Sequence, residues 1–181
     1  MNAKPHLRQK GFSLVELVIA FVIIGLLVSL AVVQFNPAKS KGQTLHASLA
    51  SYGNALQLMK TDTSCYPTKL AALFDQAQAD TSFCGINLTG QWNGPYAQRA
   101  ATNAAGNIVL NNISPGLIVT ITRQPGGIGQ RYFLDASNVP NEVINNALVA
   151  CNGTATATGR CTGTPGGTGT GTFSMLFDET R

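Results

Sequence analysis

One carboxylate in this chain is set in a run of apolar residues. Glu16 is the single charge in GFSLVELVIAFVIIGLLVSLAVVQF, residues 11 to 35. A lone carboxylate in hydrocarbon costs about 2.5–3.5 kcal/mol at mid-membrane and less near an interface. Glu16 therefore calls for a cationic partner or for a position at headgroup level. Cys65, Cys84, Cys151 and Cys161 are the other candidate chemistry. Four cysteines allow three pairings, and the local one, Cys65 with Cys84 and Cys151 with Cys161, is the expectation, each closure contributing about 3 kcal/mol. Catalytic groups are sparse. His6 lies near the start and His46 on a predicted helix, so no histidine pair can build a metal or nucleophile site. Gly166-Gly167-Thr168-Gly169 lacks the lysine and the context of a phosphate loop. The sequence points to no enzyme, no cofactor and no metal.

The elements that must position Glu16 follow from periodicity. From Leu17 to Phe35 no residue is charged, and about 20 apolar residues cross a hydrocarbon core of roughly 30 Å. A transmembrane helix is predicted. Lys4, Arg8 and Lys10 precede it without an acid, which keeps that end in the cytoplasm and sends the rest across, into a compartment where the cysteines can oxidise. Beyond Pro37, the residues Leu45, Leu49, Tyr52, Leu56 and Met59 recur at spacings of four and three, one stripe of an amphipathic helix from Ala38 to Lys60. Together the two segments read as one rod of about 48 residues, roughly 70 Å long, bent or loosened at Pro37. A cleaved secretory signal, with Ser29-Leu30-Ala31 as its small-x-small site, is the competing reading. Glu16 and the stripe beyond Pro37 both oppose it.

Net charge says little about partners. Of the 12 Lys and Arg, Lys4, Arg8 and Lys10 precede residue 12, which leaves nine against eight Asp and Glu. Arg99, Arg123, Arg131 and Arg160 are scattered rather than clustered, so no nucleic-acid face is indicated.

Gly11-Phe12-Ser13-Leu14-Val15-Glu16, with a short basic stretch before it and the apolar run after it, resembles the processing site of type IV prepilins and their relatives. The resemblance implies that a prepilin peptidase removes residues 1–11 by cutting after Gly11 and methylates the new amine on Phe12. That amine would lie within one turn of Glu16, and in staggered subunits the amine of one copy would meet the Glu16 carboxylate of the next, leaving neither charge unpaired in a dry fibre core. Residues 12–37 would be the transmembrane and filament-core helix, 38–61 its amphipathic half, and 62–181 a globular head. The implied fold is α+β, pilin-like: a long N-terminal helix, membrane-spanning in its first half, packed through its second half on an antiparallel sheet. The implied function is a structural subunit of a type IV pilus, with minor pilin or type II secretion pseudopilin as the alternative. A monomeric membrane-anchored binding module is the alternative of another class. The implied partners are further copies in a helical filament, the peptidase, an inner-membrane assembly platform with its ATPase, and an outer-membrane secretin. The implied location is the inner membrane for the precursor, head in the periplasm, and an extracellular pilus or periplasmic pseudopilus for the mature chain. Calcium-binding pseudopilins place acids in a late loop; here no acid lies between Glu142 and Asp178.

In the head, Leu70, Leu73, Phe74 and Ala77 suggest a short helix within Lys69 to Gln78. Strands are predicted over Asn107 to Leu110, Gly116 to Thr122, Gln130 to Asp135 and Phe173 to Phe177, with a turn at Ser114-Pro115-Gly116. A helix is predicted from Asn141 to Cys151 behind Pro140. Gln91-Trp92-Asn93-Gly94-Pro95-Tyr96 is similar to a Trp-x-Gly-Pro-Tyr turn of pilins and pseudopilins. The stretch between Cys151 and Phe173 is almost wholly Gly and Thr, and reads as an exposed surface loop. Asp178-Glu179 reads as a charged terminus.

Overall fold

The computed structural model describes residues 13–34, 36–126 and 129–180. The chain divides into two compact units, Met1–Asn36 and Pro37–Arg181. In the first, α1 spans Leu14–Gln34. In the second, α2 spans Pro37–Thr63. The single rod is thus two helices. Proline has no N–H to donate and disfavours helical backbone at the residue before it, so Asn36 is non-helical and Pro37 opens a new helix at its first position, where the missing N–H is not needed.

The expected membrane-spanning first half of the helix is overturned: among the described residues no helix is long and apolar enough to cross a membrane. The inner-membrane location inferred for the precursor falls with it.

The helix-on-sheet part of the fold is as read from the sequence. Five antiparallel strands, β1 (Ile108–Val109), β2 (Ile118–Pro125), β3 (Gln130–Pro140), β4 (Cys161–Thr164) and β5 (Thr170–Thr180), lie in the order β1-β2-β3-β5-β4. Alternation decides which face is dry. Tyr132, Leu134 and Ala136 of β3 and Phe173, Met175 and Phe177 of β5 point to the core, where Leu45, Leu49, Leu56 and Met59 of α2 meet them. A third helix, α3 (Asn141–Asn152), adds Val143, Ile144, Ala147 and Leu148. It ends where Gly153, at φ 77°, donates its N–H to the Val149 carbonyl, the left-handed cap that glycine adopts without strain.

Two helix positions have no room for a side chain. A Cβ on Gly42 would lie 2.5 Å from Asn146 Cβ and 2.8 Å from Ala147 N, and one on Gly53 would lie 2.9 Å from Phe177 Cβ. At these points α2 meets α3 and β5 nearly backbone to backbone.

Differences from the sequence reading are local. Lys69 to Gln78 holds two 3₁₀ turns, Leu70–Leu73 and Gln76–Gln78, instead of one helix. The Gly/Thr stretch contributes β4 and the first residues of β5. Glycine serves the packing there: a Cβ on Gly163 would fall 2.5 Å from Ile144 Cγ2, so only glycine lets β4 pass under α3. The amides at the two ends of α3 hold this strand. Asn152 Nδ2 donates to the Cys161 carbonyl (2.8 Å) while the Cys161 N–H donates to Asn152 Oδ1 (3.1 Å). Asn141 makes the same pair with Gly166, at 3.0 and 3.1 Å. On the other side of the sheet, β1 is flanked by residues 101–102, with a bridge from Thr102 to Ile108 and a 2.8 Å bond from Val109 N to the Ala101 carbonyl.

Candidate functional site

α1 is apolar around its whole circumference, with Glu16 as the acid of its first turn. Its large side chains remain open, from 50% exposure at Leu17 and Val18 to 80% at Leu14. Ser13 starts the helix, its carbonyl accepting from the Leu17 N–H at 3.2 Å, and Glu16 is exposed. A carboxylate in a first helical turn is favoured by the partial positive charge of the helix N-terminus. A helix that is hydrophobic all round is at rest only when something covers it. Gly11 and Phe12 lie outside the described residues, so the amine partner inferred for Glu16 does too. A Cβ on Gly25 would meet nothing within 4 Å.

The head presents a prebuilt frame. Cys65 and Cys84 are joined, as are Cys151 and Cys161, with Cα–Cα separations of 6.2 and 6.1 Å. The first bridge closes the segment that follows α2, and the second ties the end of α3 to β4. The Trp92-to-Tyr96 turn is fastened from both ends. Trp92 Nε1 donates to the Ala72 carbonyl (2.7 Å), Tyr96 N to the Leu73 carbonyl (2.7 Å), and the Tyr96 hydroxyl to Asp62 Oδ2 (2.8 Å). The two rings meet edge to face at 5.8 Å.

Asp178, read from the sequence as part of a charged terminus, anchors the last strand to α2. Its Oδ2 accepts from Lys60 Nζ at 2.7 Å and from the buried Tyr66 hydroxyl at 2.6 Å, and Lys60 Nζ lies 4.8 Å from the centre of the Tyr66 ring. Gln57 adds a 2.9 Å bond to the Phe177 carbonyl. Partial burial pushes the Asp178 carboxyl up, but the hydrogen bonds from Lys60 and Tyr66 outweigh it and hold the group below its ordinary value. Burial, followed by the bond to Asp178, pushes the Tyr66 phenol far up. A carboxyl lowered in the folded state stabilises above its unfolded pKa of about 3.9 and loses that contribution as pH falls through the lower folded value. Asp178→Asn should cost about 2 kcal/mol at neutral pH. Denaturation midpoints between pH 7 and pH 3 should fall less steeply for the variant than for the parent, and parallel curves would count against this anchor. The sequence carries a faint signal for it: Lys60 ends the helix stripe and Tyr66 follows the first cysteine, but their acid is more than a hundred residues away.

Residues 6–32 match the family described as the prokaryotic N-terminal methylation motif. The chain is 40% identical to type II secretion system core protein G of Klebsiella pneumoniae over 63 residues, 34% of this chain and 45% of that one. It is 36% identical to the Escherichia coli K12 protein of that name over 76 residues, 41% of this chain and 52% of the relative. These matches span about half the length of those two relatives. With core protein G of Aeromonas hydrophila the identity is 38% over 111 residues, covering 60% of this chain and 76% of the relative. The chain belongs to the type II secretion system core protein G family. No solved structure gives a significant match. As a member of this family the chain is a structural subunit and not an enzyme, and its N-terminal methylation motif contains Gly11, Phe12 and Glu16. Core protein G membership moves the reading from type IV pilus subunit to the secretion relative that stood beside it.

Proposed function

We propose that this chain is a pseudopilin, a fibre-forming subunit of a type II secretion system. The 38% identity across three quarters of the Aeromonas hydrophila protein carries this reading, and the uncovered apolar circumference of α1 with its single acid supports it. A prepilin peptidase cuts after Gly11 and methylates Phe12. α1 segments then bundle into a helical fibre, each Glu16 pairing with the Phe12 amine of a neighbouring copy. An assembly platform, an ATPase and a secretin are the partners this role requires.

Deletion of the gene tests the reading. The culture medium should lose its exported proteins while surface pili persist, and mass spectrometry of the mature chain should find Phe12 first and carrying one methyl group. Loss of pili with secretion intact would instead return the chain to the pilus.

A further inference from the structure

In the head, three adjoining hollows share one cation. Arg99 lines a groove of roughly 540 Å³ beside α2, a second of roughly 450 Å³ over Phe74 and Pro95, and a third of roughly 220 Å³ beside Asp75. Its nearest acid, Asp75, is 3.9 Å away, the longest ion pair among the described residues, and its side chain is 78% exposed. The wall at Tyr96 is preformed, because its amide and its hydroxyl are held by the bonds given above. The floor of the largest groove is Thr44, Ala47, Ser48 and Ser51 of α2, small side chains at helical spacing that allow another helix to come close.

The head also has a carboxylate without a match. Asp62, Asp75, Asp80, Asp135, Asp178 and Glu179 each accept from a neighbouring donor. Among the described residues of the head only the Glu142 side chain does not; it is exposed, in the first turn of α3. Arg99, whose ion pair with Asp75 is the long one, and Glu142 lie on opposite flanks of α2. Gly42 marks the flank that carries α3, and Thr44, two residues on and about 200° around the helix at 3.6 residues per turn, marks the groove. A contact between opposite flanks of identical subunits cannot close on itself as a pair; it repeats, producing a ring or an open fibre.

We propose that the Arg99 groove receives the start of α3 from a second copy of this chain, the Arg99 guanidinium pairing with the Glu142 carboxylate. This rests on the fibre reading above and gives it a lateral contact between heads. Both side chains are exposed, so reversing either leaves the fold intact. In the full-length chain, Arg99→Glu and Glu142→Arg should each lower fibre yield by about tenfold or more, because like charges would then face each other across the contact, and the double reversal should restore it. A photoreactive residue at Gln98 should cross-link to residues 141–146 of another copy. Single variants that assemble as the parent does, a double variant without recovery, or a cross-link only to a different protein would each overturn the contact. A parent chain that forms no fibres at all would overturn the assembly reading itself.

Discussion

Glu16→Gln should leave a folded head and abolish fibres. Glutamine keeps the shape of the side chain and removes the charge, so the Phe12 amine of the neighbouring copy would be buried without a counter-ion. Breaking a buried pair by removing one partner costs about 3–5 kcal/mol, and a fibre repeats that loss at every subunit. A tenfold change accompanies every ~1.4 kcal/mol, which takes assembly below detection. The head should not register the change, because its described core is built from α2, α3, the sheet and the segments between them. Electron microscopy for fibres and circular dichroism for the head separate the two effects. A monomeric binding module would tolerate the substitution in both assays, and normal fibres from the variant would remove Glu16 from the mechanism.

Gly42→Val should be the most damaging single change in the head. A Cβ there would lie 2.5 Å from Asn146 Cβ and 2.8 Å from Ala147 N, and one of those atoms is backbone, so no rotamer change can relieve the overlap. α2 and α3 would have to separate, opening the layer that Ile144 and Leu148 fill. Overpacking of this kind costs about 3 kcal/mol, to be read as a lower denaturant midpoint with an unchanged slope. Gly25→Ala in α1 supplies the contrast. Its Cβ would meet nothing within 4 Å, and alanine favours a helix by about 1 kcal/mol, so the isolated chain should be unchanged or slightly stabilised. A Gly42→Val head as stable as the parent would show that the two helices are less closely seated than their backbones indicate.

What could be read in advance follows the range of the interactions. The Leu45 to Met59 stripe declares α2 because the 3.6-residue period survives over four turns. The cores of β2 and β3 show through alternation, and α3 through Pro140 and its apolar face. β4 was hidden. Cys161-Thr162-Gly163-Thr164 has no apolar alternation, and its glycine is there to admit Ile144, a reason that exists only after α3 has docked. Asp178 was hidden for the same cause, since Lys60 and Tyr66 meet it only through the fold. The membrane-spanning helix was an extrapolation from composition. Glu16 was legible as an acid in need of a partner, because one charge in an apolar run needs no tertiary information to stand out.

The amide pairs at Asn141 and Asn152 have a consequence for the margins of the sheet. An exposed strand edge is a template for another chain, and here Asn152 takes both backbone groups of Cys161 at the start of β4, Asn141 takes those of Gly166 just past its end, and residues 101–102 flank β1. These contacts blunt parts of the sheet edge against pairing with the sheet of another copy. On the pseudopilin reading proposed above, polymerisation would be left to the other end of the chain, where it would be withheld until the peptidase has acted.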